Sequence, residues 1–264
     1  MDNWYDKLGQ LLDALLVKLN KLHLDGFIQG NQRYLTSTGL IGIHIATILG
    51  FILAILYGFK MEMALLGVGG AFAWVVISIL GYYSAWKFLP IIDGLIESTP
   101  TYVRANSLFN VISLIFCLLG IISLAGGTFL AVTEEDSSIF WMGLFSFIGC
   151  EYVTALSLNP NLINVKISAD CGPGEEFFGL ATFFLKSLLK LTPIVFGSWI
   201  FFGNIYLLFL FNSGGLEFMA NATAALTFLS AAFLPLVSYI TFLVYYVTVD
   251  VLLAILSLHR IGEE

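Results

Sequence analysis

His44 and Glu151 hold most of the chemistry available here, because each is an ionisable group set inside a long apolar run. Charged or titratable side chains are rare in hydrocarbon and are functional candidates by default. A carboxylate so placed can carry a proton, hold a cation or orient a substrate group. Counting about 1.5 Å per residue from the nearer ends of their helices, His44 and Glu151 lie roughly 8 Å and 10 Å deep, so they meet if those helices are neighbours. Lys190 is a second partner for Glu151. The competing reading is one buried hydrogen bond or ion pair that pins two helices. Asn110 and Asn204 are expected to be interhelical hydrogen bonds before they are pore groups.

The remaining chemistry is sparse. No phosphate-cradling glycine loop, HExxH, GxSxG or dinucleotide fingerprint occurs. Cys117 and Cys150 lie in apolar runs and Cys171 in a polar connection, which gives neither a CxxC pair nor a disulfide framework. His23, His44 and His259 are too dispersed to suggest a metal or haem site. No catalytic residue, cofactor or metal ligand is assigned, and an enzyme is not expected. The Asn221 sequon reads better as a helix cap.

The elements that must position these residues are hydrophobic helices. The 264 residues are 59% hydrophobic and 11% charged, with a mean hydropathy of +0.93. That composition is outside the range of soluble domains. A spanning helix needs about 20 mainly apolar residues to cross about 30 Å of hydrocarbon. Six stretches qualify: 39–58, 63–86, 107–132, 139–158, 191–211 and 223–247. Continuous rather than alternating runs favour helices over a barrel. The fold class expected is an all-α integral membrane protein, a bundle of six spans. The first 25 residues are amphipathic, and no cleavable signal peptide is expected.

Basic residues collect in cytoplasmic segments close to the membrane. With the N terminus inside, Lys7, Lys18, Lys21, Arg33, Lys87, Arg104, Lys166, Lys186, Lys190 and Arg260 fall on one side, and Lys60 alone on the other. The chain is therefore expected in the cytoplasmic (inner) membrane with both termini in the cytoplasm.

Two segments read as interfacial. On a helix starting at Glu175, about 100° per residue puts Glu175, Gly179, Thr182, Lys186 and Lys190 on one stripe and Phe177, Leu180, Phe184, Leu185 and Leu188 opposite. The segment 175–190 is expected as an elbow that ends at Pro193, with its lysines reaching lipid headgroups. At the start of the chain Trp4, Leu8, Leu11, Leu12, Leu15, Leu16, Leu19 and Leu22 share a face. Lys7, Lys18 and Lys21 are on the polar side. Residues 1–37 are read as this interfacial helix and a linker, 38–260 as the membrane domain and 261–264 as a tail. The apolar run after residue 223 is too long for a simple crossing, so Pro235 kinks it or its end emerges.

Packing is legible too. Gly42, Ala46, Gly50, Ala54 and Gly58 recur every four residues, a pattern that lets helix backbones approach closely. The short turn before Gly67 favours an antiparallel pair of the first two spans over a contact with another subunit. Two connections of about 20 residues follow spans two and four, long for a compact bundle. In the second, "LINVKIS" alternates as a short strand would, with an edge open to a partner.

Length and the amphipathic entry helix are similar in outline to permease subunits of bacterial lipid-transport systems, without a coupling-helix motif. Poor intramembrane chemistry, the glycine stripe and basic interfacial helices together predict a non-catalytic subunit or scaffold of a membrane assembly that presents a basic cytoplasmic face. The alternative is a permease or channel for an apolar or lipid-like substrate. Lipids and other membrane subunits, or further copies of the chain, are the expected partners. The acidic pI of about 4.9 argues against a nucleic-acid surface.

Overall fold

The computed structural model describes residues 25–212 and 218–261, together with 7, 10–12 and 14–19 near the start of the chain. Six long helices account for most of it: α1 (Asp25–Lys60), α2 (Ala64–Ser98), α3 (Asn106–Thr133), α4 (Ser137–Leu158), α5 (Pro173–Asn212) and α6 (Phe218–Ile261). Each contains a segment long and apolar enough to cross a membrane; five of the six expected spans fall inside them, and the sixth, 63–86, starts one residue before α2. Two short strands, β1 (Thr101–Val103) and β2 (Val165–Ile167), are the addition to an all-helical chain.

Several helices run well past the expected spans. Residues 25–37 are helical and continuous with the first span, not a linker. Residues 87–98, expected in a connection, form the end of α2, with Pro90 inside it. No helix ends at Pro193 either, since α5 passes through it for 40 residues. The last helix likewise continues through Pro235 to Ile261. A proline removes one backbone donor and crowds the preceding turn, but a continuous buried stripe outweighs that locally. Along α5 the stripe is Lys186, Leu189, Pro193, Phe196 and Ile200, at helical spacing on both sides of the ring. At about 1.5 Å per residue, α5 and α6 are roughly 60 Å and 66 Å long, twice a perpendicular crossing of the hydrocarbon.

The chain divides into two compact units, residues 29–95 with 192–247, and residues 96–191 with 1–28 and 248–264. In the first, the turn between α1 and α2 has Glu62 at φ 56°. Beyond it α1 and α2 touch backbone to backbone: a Cβ at Gly67 would lie 2.6 Å from Gly58 Cα and 2.9 Å from the Ala54 oxygen. Gly50 is filled by the Trp74 indole, whose Nε1 donates to the Ala46 oxygen at 3.1 Å. Gly42 turns instead to α5 and is covered by Ile200 and Asn204. The small-residue stripe is thus used within this chain, mostly by the α1–α2 pair. A second side of α2 meets α6, with Gly81 against Ala232 and Phe88 ringed to Tyr239 at 5.1 Å.

Asn204 is an interhelical clasp in this unit. Its Nδ2 donates to the Gly42 oxygen (2.9 Å) and to the Ile200 oxygen of its own helix (2.8 Å). Such bonds within membranes contribute about 0.6 to 2 kcal/mol. Asn204→Leu is expected to lower stability by about 1 kcal/mol while the α1–α5 contact persists. Unfolding in mixed micelles measures it, and a loss near zero removes the clasp reading.

In the other unit α3 and α4 form a tight hairpin. Gly127 and Gly143 let their backbones approach, a Cβ on Gly127 falling 2.8 Å from Gly143 Cα. Asp136 caps α4 by accepting the Ser138 N–H at 2.8 Å, and that bond holds its carboxyl below the ordinary range. The first half of α5 crosses this hairpin. Adjacent residues Phe183 and Phe184 reach Phe109 and Phe116, rings seven positions apart on α3, at 4.9 and 6.0 Å. A helix running alongside α3 would space those contacts evenly.

Candidate functional site

The two connections between helices converge on the first half of α5. Residues 101–103 and 165–167 pair as a parallel two-stranded sheet in the register Thr101–Val165, Tyr102–Lys166, Val103–Ile167. The alternation in "LINVKIS" is therefore a strand, but its neighbour is the chain's own β1 and not a foreign edge. Val103 and Val165 are buried, whereas Tyr102, Lys166 and Ile167 are exposed. The sheet rests on α5 where Gly179 lies. A Cβ there would run into the Tyr102 carbonyl and stand 3.0 Å from Val103 Cγ2.

Here the expected elbow is corrected. Gly179, Thr182 and Lys186 do share a stripe, but that stripe is the covered one, and Lys186 is 0% exposed. Opposite it Phe177 is 69% exposed and Leu188 is also open. A helical wheel says which residues share a face, not which face is covered, and here two polar linkers cover the polar stripe. The Lys186 ammonium donates to the backbone oxygens of Thr99 and of Asn164, the latter at 3.3 Å. Lys190 is half-buried, and its own carbonyl accepts from the Tyr152 hydroxyl at 3.1 Å.

The charges of this segment match the helix ends they reach. The last carbonyls of a helix are unpaired and carry partial negative charge, and the first N–H groups carry partial positive charge. At the end of α2, Asn164 Nδ2 donates to the Glu97 backbone oxygen at 2.7 Å, with a longer contact to Ile96, while the Lys186 cation bonds the Thr99 carbonyl just past the helix. Asn164 does so from a left-handed conformation, φ 53° and ψ 45°, which asparagine tolerates better than most residues. At the start of α3 the cap residue is Ala105, which has no side-chain oxygen, and Glu176 Oε1 accepts its N–H at 3.1 Å. One stretch of α5 thus supplies an anion to a helix start and a cation to a helix end, fixing linker 99–105 at both.

Cys171 completes the enclosure. It is buried, with Sγ 3.6 Å from the Tyr102 oxygen. Burial pushes its thiol above the ordinary range, and the Glu175 and Glu176 carboxylates push it the same way. Thr99 and Thr101 are buried beside these groups. Thr99 and Asn164 were not singled out from the sequence, and Cys171 was placed only in a polar connection. Only Asn164 carried a signal, as an asparagine between a Pro-Asn turn and a strand.

The intramembrane candidates fall in different units. Glu151 belongs to the α3–α4 unit, where its Oε1 lies beside Gly120 and its carboxylate is near Cys117 and Cys150. A Cβ on Gly120 would come within 3.3 Å of that oxygen, so the glycine makes room for the carboxylate. His44 belongs to the other unit, is exposed, and has its ring 4.6 Å from that of Tyr82. Each has its own local neighbours, and no joint His44–Glu151 centre is formed within either unit. Asn110 contributes its backbone oxygen, which accepts from Ser113 at 2.8 Å, rather than the expected bond across helices. Lys7 and Lys18 are exposed, and Lys21 lies outside the described residues. Among the described residues no group of three or more His, Cys, Asp or Glu is arranged to hold a metal ion. Comparisons with protein-family models, curated proteins and solved structures found no match to this chain.

Proposed function

We propose that this chain is a non-catalytic subunit or scaffold of a cytoplasmic-membrane assembly, and that the β1–β2 sheet with the first half of α5 is the face it offers to partners. One observation carries the reading: side chains that looked available for chemistry, Lys186 above all, are committed to holding two linkers in a single fixed shape. Rigid presentation of a surface is what recognition needs. Tyr102 and Ile167 are open there, and the exposed charges include Arg104 and Lys166 together with Asp170 and Glu175. The face is mixed in sign rather than basic, because the central lysine is withdrawn from it.

The distribution of basic residues favours the cytoplasm for this face and for both termini. Leu11, Leu15 and Val17 are exposed on the entry helix beside Lys7 and Lys18, which suits a helix lying in the lipid interface. Lys87 over the Trp86 ring, at 4.4 Å, suits an interfacial anchor. Partners are then other membrane subunits, or further copies of this chain.

The test is extraction of native membranes in mild detergent, then sizing and mass spectrometry of what stays bound. Foreign subunits in fixed ratio are expected, and Arg104→Glu with Lys166→Glu should lower their recovery several-fold without changing the level of the chain. A second reading, a permease for an apolar or lipid-like substrate, is favoured by a cavity of about 320 Å³ where α1 meets α2, walled by Tyr57, Met61, Met63, Leu66, Gly67 and Gly70. Recovery of the chain alone with bound lipid would put that reading first.

A further inference from the structure

We infer that the β1–β2 sheet is a latched element, held shut by Lys186 and able to open as one local unit while the helices stay folded. Its own bonding is slight. Each strand has three residues, and an isolated two-stranded sheet is marginal in water. Closure therefore depends on what ties it down, and three side chains among those ties are identified.

Lys186 is the central tie because it bonds both linkers at once, Thr99 just before β1 and Asn164 just before β2. Asn164 adds the link from β2 back to the end of α2. Glu176 holds the far end of the first linker at Ala105. Removing the ammonium takes a charged donor from both carbonyls at once, while the Asn164 oxygen keeps the Thr101 N–H at 3.1 Å, and the lost bonding favours the open form. The strands are joined to helices at each end, so release frees the sheet without requiring α3 or α4 to part. Opening uncovers Val103, Val165 and Cys171, all buried in the closed form. This inference does not rest on the assembly reading, since the latch would operate in a scaffold or a permease alike.

Cys171 is a built-in reporter, and Cys117 and Cys150 on α3 and α4 are internal controls. The full chain in mild detergent is treated with N-ethylmaleimide, and the rate at each cysteine is followed by peptide mass spectrometry. Lys186→Met is expected to raise the Cys171 rate about tenfold or more, the effect of losing a charged hydrogen bond from a local opening equilibrium, with Cys117 and Cys150 unchanged. An unchanged Cys171 rate overturns the latch. A parallel rise at all three cysteines also overturns it, because the charge would then hold the whole fold. Should Lys186→Met fail to accumulate, Asn164→Ala removes the other side-chain tie. It is expected to give the same selective rise, and its absence there is equally decisive against the proposal.

Discussion

Gly58→Leu is expected to cost about 3 kcal/mol of stability, the largest effect of any single substitution in the α1–α2 pair. The reason is the identity of what a side chain would strike. At Gly58 the obstacle is the backbone of Gly67, with its nitrogen 2.8 Å from the added Cβ, and the Met63 oxygen lies 3.2 Å away. A flexible side chain can swing aside, whereas a helix backbone moves only if the whole contact opens. The partner position repeats the constraint, so Gly67→Leu should behave alike and the double substitution should cost less than the sum. Gly69 is the control, because a Cβ there meets nothing within 4 Å. Gly69→Ala is expected to be neutral or to stabilise by up to about 1 kcal/mol, through helix propensity alone. Reversible unfolding in mixed micelles separates these outcomes. A Gly58→Leu protein as stable as the parent would mean that α1 and α2 do not pack as described.

Phe183→Ala is expected to cost about 3 kcal/mol by leaving a void where α5 crosses α3. Phe183 and Phe109 are both fully buried and meet edge to face. Phe183 is also a near neighbour in sequence of Lys186, so the void should loosen the covered stripe of α5. Double substitution with Phe109→Ala is expected to show coupling of about 1 kcal/mol, the amount typical of an aromatic pair beyond simple burial. Independent losses that simply add would show that the rings do not bear on each other.

The membrane class was readable because it follows from hydropathy: the six expected spans match the six long apolar helices, to within one residue at the start of α2. The closeness of α1 and α2 was readable as well, since glycine spaced every four residues serves little else in a spanning helix. Prolines misled. Pro193 was read as a boundary and Pro90 fell in an expected connection, yet both lie inside helices. Lys186 misled for a different reason. Its place on a polar stripe was right, but what covers the stripe comes from residues 87 and 22 positions earlier, and no local pattern announces such partners. The strand at 165–167 was visible because the alternation extends beyond it through "LINVKIS", while β1, also of three residues, has no such flanking pattern.

The order in which the chain is made gives the Lys186 bonds a further meaning. Thr99 and Asn164 both leave the ribosome before residue 186 does, so the ammonium can reach their carbonyls only after α5 has begun. The linkers between the early spans thus receive their final form only when the penultimate helix arrives. Insertion of the first four spans can proceed with those linkers still pliable, and their shape is set by a residue that certifies the later part of the chain has been made.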